Sequence, residues 1–195
     1  IGAPLMLRCA HRNQSVGEDY ITNMAITNTL IHELDVLRWL LNDDYVSVQV
    51  RFPRSTSHTH ARLKDPQIVS FETKKGTLID VEVFVNCQYG YDIQCRLVGE
   101  SGIISLPDVA TPEVRKAGQI SHAISSAWFD RFIEAYDREF DRFFANIEAD
   151  RQPGGKEATA WDGYVANVVA DAALDSLHHG GRIPVTLNEQ PALYR

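Results

Sequence analysis

Leu5 to Ala10 form a short apolar run that reads as a β-strand, closed by the polar cluster His11-Arg12-Asn13-Gln14-Ser15 and a loop through Gly17. Leu30, Leu34, Leu37 and Leu41 then recur at helical spacing, predicting a helix from Thr29 to about Leu41. Thr27, Asn28 and Thr29 offer N-cap side chains ahead of it. Asn42-Asp43-Asp44 stops it, because Asn and Asp hydrogen-bond their own backbone and favour turns. Four stretches with a period of two follow: Val46 to Phe52, Val69 to Thr73, Ile79 to Val85 and Ile93 to Leu97. Lys74-Lys75-Gly76 is a connection of hairpin length and predicts antiparallel pairing there. The alternate positions carry Gln49, Arg51, Asp80, Glu82, Gln94 and Arg96, too polar for a face covered by helices. Glu100-Ser101-Gly102 turns into a further short strand, Ile103 to Leu106.

Pro107 to Gly118 reads as an irregular connection. Trp128, Phe132, Tyr136, Phe140 and Phe144 step by four through a charged segment, which predicts an amphipathic helix whose aromatic stripe belongs to the core. Pro153-Gly154-Gly155 breaks that helix. A second helix is expected from about Ala158 to His178, ended by Gly180-Gly181, with Ile183 to Leu187 as an edge strand. The elements together predict an α+β domain over residues 1–195. It has an open, mostly antiparallel sheet with helices on one face, the other face being polar and available for oligomerisation.

The 195 residues suffice for one packed domain, and 44% apolar with 23% charged residues is an ordinary globular composition. A net charge of -7 disfavours nucleic acid and anionic membranes as partners. Cys9, Cys87 and Cys95 form no C-x-x-C pair, which argues against a disulfide framework and fits a reducing cytoplasm. Every apolar stretch is interrupted by charge well short of the ~20 residues that span a bilayer, and no targeting signal is visible. The chain begins at Ile1 with its first methionine at Met6, so it reads as a piece of a longer translation product.

No G-x-G-x-x-G or P-loop occurs, so this piece alone is expected to bind neither NAD nor ATP. His32, in the first turn of the Thr29 helix, is the acid/base candidate, since imidazole exchanges a proton near neutral pH; a locally packed histidine is the plainer alternative. His11, Arg12 and Asn13 at one strand end, and Tyr89-Gly90-Tyr91 at another, are groups that grip hydroxyls or merely decorate loops. If that second strand stays extended, both tyrosines address one side. His58-Thr59-His60 has a spacing used by zinc sites but lacks a third ligand nearby, so it reads as a solvated loop.

Three blocks, Cys9-Ala10-His11-Arg12-Asn13, Thr29 to Leu40 and Val83 to Cys95, together with Trp161-Asp162-Gly163-Tyr164, resemble the myo-inositol 2-dehydrogenase group of the glucose-fructose oxidoreductase/inositol dehydrogenase/MocA family. The resemblance runs from about Pro4 to Leu187. It implies the second domain of a two-domain enzyme whose N-terminal Rossmann domain, absent from this chain, holds NAD or NADP and supplies a catalytic lysine. It further implies that a ring hydroxyl of a polyol loses its proton to His32 while its carbon delivers hydride, with His11, Asn13, Tyr89 and Tyr91 holding other hydroxyls. Many such enzymes carry aspartate four residues before the histidine. Asn28 stands there instead and can orient a hydroxyl, but it brings no negative charge. Homo-oligomers through the sheet face are implied as well. The competing reading is a non-catalytic sugar-binding or oligomerisation module.

Overall fold

Along β1 (Pro4–Arg12), Leu7, Cys9 and His11 are buried while Met6 and Arg8 are exposed, the period-two signature of a strand with one covered face. The computed structural model describes residues 1–151 and 157–194. The further strands are β2 (Tyr45–Arg51), β3 (Gln67–Thr73), β4 (Leu78–Phe84), β5 (Asp92–Gly99), β6 (Ile103–Ser105), β7 (Glu113–Lys116), β8 (Gln119–His122) and β9 (Arg182–Pro184). Seven of them form one sheet in the order β6-β5-β1-β4-β3-β2-β9, and β7 with β8 makes a separate hairpin. The β1–β4 pair is parallel and the other pairs are antiparallel, so the expected open, mostly antiparallel sheet is what the chain builds. Its outer face carries Arg51, Ser70 and Asp80 in one hydrogen-bonded row, and Arg12 forks onto Glu82 at 2.6 and 2.7 Å.

Helix α1 (Ile31–Leu41) and helix α3 (Ala160–His179) pack against each other on the inner side. Leu30 just ahead of α1, Leu34 and Leu37 within it, and Val165, Val169 and Ala173 of α3 join the buried valines of β2, β3 and β4 in one core. The expected capping of α1 by Thr27, Asn28 or Thr29 does not occur. A π-helical turn, Ala25–Leu30, feeds straight into the helix, so the chain arrives already coiled and the first amides need no side-chain acceptor. The Thr29 hydroxyl instead meets that of Tyr20 at 2.5 Å. Asn42 ends α1 in the left-handed conformation (φ 46°), the stop its side chain predicts. Arg38 then joins α1 to both neighbours, bonding Asp44 at 2.8 Å and Asp162 at 2.6 Å. Burial opposes ionisation of Asp44, but Lys74 and Arg38 outweigh it and leave the carboxyl below its ordinary range. Helix α3 opens with a Thr159/Asp162 capping box; the break expected at Pro153-Gly154-Gly155 lies outside the described residues.

The amphipathic helix α2 (Trp128–Glu148) forms where expected, but its stripe is not core. Trp128 is 49% exposed and Phe140 56%, with Phe129, Ile133, Tyr136, Phe143, Phe144 and Ile147 similarly bare. The sheet's inner face is already taken by α1 and α3, and α2, which follows the exposed β7–β8 hairpin in sequence, touches the domain at its start, where Phe132 meets Tyr91. A 3.6-residue periodicity records that a face needs covering and says nothing about what covers it. Among the described residues no helix is long and apolar enough to cross a membrane.

Candidate active site

His11 is the last inward-facing residue of β1, where the strand runs out under the start of α1. Glu33, in the first turn of α1, reaches down to it, with Nδ1 lying 2.9 and 3.0 Å from the two carboxylate oxygens. Both groups are buried, at 4% and 6% exposure. An ionised Glu33 can only accept, so it holds the proton on Nδ1 and leaves Nε2 facing the Tyr91 hydroxyl at 3.4 Å. The Tyr91 ring stands edge-on to His11 at 5.6 Å. Burial, reinforced by the nearby Glu33 carboxylate, pushes the Tyr91 hydroxyl up to about 12, so it stays protonated and can donate.

His32 immediately precedes Glu33 and is exposed to solvent, with its ring stacked 6.0 Å from that of His11. One imidazole is therefore clamped and the next is free to meet a ligand. Asp35, one turn further along α1, has its carboxyl raised by burial and by Asp162, against the pull of Arg38 and His32. Asn13 is fixed by its backbone, donating to the Phe84 carbonyl and accepting from the Cys87 amide, both at 3.0 Å. Its side-chain oxygen is buried without a protein donor, a vacant acceptor of the type a ligand hydroxyl fills.

Tyr89 departs from this cluster. Gln88 has φ 71° and Gly90 φ 148°, so the segment turns instead of staying extended, and the two tyrosines diverge. The Tyr89 hydroxyl donates to Asp92 at 2.7 Å and accepts from Arg12 at 3.1 Å, on the side of β1 opposite His11. Asn28 lies exposed in the π-helical turn, and its amide bonds no described residue. His58 is exposed, and among the described residues no group of three or more His, Cys, Asp and Glu side chains gathers to hold a metal ion. A cavity of about 420 Å³ lined by Asp44, Lys74, Trp161 and Asn188 sits at the far end of the strands from His11.

The residues that sequence reasoning missed are Glu33 and the start of α2. Glu33 occupies the i+3 position of the Leu30, Leu34, Leu37 face, so an acid was written onto a buried stripe; that was a signal. Phe132 of α2 meets Tyr91 edge-on at 6.3 Å, and the Ser125 carbonyl just before the helix accepts the Tyr91 amide at 2.6 Å. No local pattern announces that contact.

A family profile described as "Oxidoreductase family, C-terminal alpha/beta domain" matches residues 1–187. The whole chain is 68% identical to an inositol 2-dehydrogenase of Klebsiella pneumoniae and, over 194 residues, 59% identical to one of Pseudomonas fluorescens, in each case spanning 57% of the relative's length. The crystal structure of myo-inositol dehydrogenase from Lactobacillus casei in complex with NAD(H) and myo-inositol superposes on the entire chain with a TM-score of 0.95 at 38% identity, again over 57% of that protein. A scyllo-inositol dehydrogenase from the same organism shares the fold at a TM-score of 0.84 and 18% identity, over 95% of this chain and 57% of its own. With the profile spanning nearly every residue and relatives of this identity on either side of the comparison, the chain belongs to the oxidoreductase family as its C-terminal alpha/beta domain.

Proposed function

We propose that this chain is the substrate-binding and oligomerisation domain of an NAD-dependent inositol dehydrogenase, which oxidises a ring hydroxyl of a cyclic polyol to a ketone. The observation that carries the reading is the pairing of a clamped imidazole, His11 between Glu33 and Tyr91, with the free imidazole of His32 stacked beside it. Bound NAD supplies the hydride acceptor in this reaction. None of the described segments has the glycine-rich strand-turn-helix that cradles a pyrophosphate, so the cofactor's own site is assigned to the remaining part of the longer protein. The similarity to inositol 2-dehydrogenases that extend well beyond this chain supports the division.

In this reading His32 accepts the proton of the reacting hydroxyl, which raises electron density on the carbon that must release hydride. His11, its orientation enforced by Glu33, holds a neighbouring hydroxyl through Nε2, which exchanges its long 3.4 Å contact with Tyr91 for that hydroxyl. The vacant Asn13 oxygen accepts a hydrogen bond from another, and Tyr91 closes the cluster from below. Asn28, one turn ahead of His32, orients without adding charge. Tyr89 plays its part indirectly by bracing Arg12 and Asp92. The polar outer sheet face, with Arg51, Asp80, Glu82 and Arg96 in alternating sign around Phe84, is the surface assigned to self-association.

The longer protein, given NAD and myo-inositol, is expected to produce NADH stoichiometrically with a ketone. Binding of inositol without NADH formation would favour the non-catalytic sugar module. Replacing Glu33 by Gln tests the clamp. A charge-assisted hydrogen bond exceeds a neutral one by about 1.4 kcal/mol, so KM for inositol should rise about tenfold with a smaller change in kcat. Glu33→Asp should recover part of the loss, and an unaltered KM in Glu33→Gln would reduce the carboxylate to a packing role.

A further inference from the structure

We propose that Cys9 and Cys95 form an oxidisable pair, which hydrogen peroxide converts to a disulfide tying β1 to β5 two residues from His11. The geometry is already that of a cross-link waiting to close. Cys9 and Cys95 stand directly opposite each other in the antiparallel β1–β5 ladder, and their sulfurs are 3.6 Å apart. Opposed residues in such a ladder have Cα atoms ~4.5–5.5 Å apart. A disulfide accepts ~4.4–6.8 Å, so bond formation requires only side-chain rotation.

The two thiols are also differentiated. Cys95 is half-buried and within reach of a small oxidant, whereas Cys9 is buried on the inner side of the sheet. The Cys9 thiol donates to the Cys95 sulfur. That bond draws the Cys95 thiol below its ordinary range, against burial and the Glu33 carboxylate, and holds Cys9 protonated well above its own. Cys95, the more exposed of the two, is the attacking thiol and buried Cys9 the resolving one.

In the first step the Cys95 thiolate attacks peroxide; an S–O bond forms, the O–O bond breaks, and the departing hydroxide takes up a proton as water. The product is the Cys95 sulfenic acid. In the second step Cys9 gives up its proton and attacks that sulfur; the S–S bond forms, the S–O bond breaks and a second water leaves. Two thiols and one peroxide become one disulfide and two waters. The closed bond joins residues 86 apart in sequence, across the strand that presents His11 and the strand that follows Tyr91. Cys87 donates to the Gly90 carbonyl at 3.2 Å, and serves as an internal control.

The test is peroxide treatment of the reduced, full-length protein followed by peptide mapping without reductant. A Cys9–Cys95 cross-linked peptide with Cys87 still alkylatable is the expected product. Its melting temperature should rise by roughly 5–10 °C and return on adding a reductant. In Cys9→Ser the sulfenic acid should persist on Cys95 and be captured by dimedone. Oxidation of wild-type Cys95 to the sulfinic acid without a cross-link would overturn the proposal. So would pairing through Cys87, dimedone capture at Cys9 in Cys95→Ser, or a thiol count and melting temperature unchanged by peroxide.

Discussion

His32→Ala in the longer protein should lower kcat for inositol oxidation by at least about a hundredfold, the usual contribution of a positioned acid/base group. His32 is exposed and makes no hydrogen bond to a described residue, so removing its ring leaves the fold untouched and the loss reports on chemistry. Its neighbour gives the contrast. His11 is buried and bonded at both ring nitrogens, so any substitution there disturbs Glu33 and Tyr91 together. Added imidazole should restore part of the His32→Ala activity, because the ring it replaces faced solvent. Steady-state NADH formation measures both effects. A variant that turns over at the wild-type rate would take His32 out of the mechanism and leave the proton to a group beyond this chain.

Asp65→Ala should destabilise the protein by about 3 kcal/mol, since it strands two buried backbone amides at about 1–3 kcal/mol each. Asp65 is almost wholly buried and accepts from the amides of Val85 and Asn86, both at 3.0 Å, and from the Asn86 side chain at 3.2 Å. Those bonds define the turn that carries the chain from β4 to Tyr91. Asn86 passes the constraint on, accepting the Val16 amide at 3.2 Å. A fall in melting temperature of roughly 10 °C is expected for a chain of this size. Asp65→Asn keeps one acceptor and should lose about half as much. A melting temperature within a degree or two of wild type in the alanine variant would mean that water replaces the carboxylate.

The parts of this molecule legible in the sequence are those where one local rule decides. Val46 to Phe52 and Ile79 to Val85 alternate because one face of each strand is covered, and both became central strands. Leu30, Leu34 and Leu37 announce the buried face that runs from the π-helical turn into α1. The gathering of His11, His32 and Tyr91 depends on pairings that no local window contains: β1 lies between β4 and β5, so a parallel neighbour and an antiparallel one bring distant segments to one strand end. Tyr89 diverges from Tyr91 because positive φ at Gln88, a residue that rarely adopts it, turns the chain out of extension. Capping at Thr27 to Thr29 looked sound by side-chain chemistry and lost to a π-helical turn already supplying the coil.

The bare stripe of α2 has a practical corollary for anyone handling this 195-residue piece by itself. Phe140, Phe143, Phe144 and Ile147 present a greasy ribbon to water, bordered at helical spacing by Asp137 and Asp141 on one side and Glu139 on the other. Ribbons of that kind adhere to whatever apolar surface arrives first, and contacts without a closing symmetry grow into open chains. Detergent or a low protein concentration would be needed to keep such preparations clear.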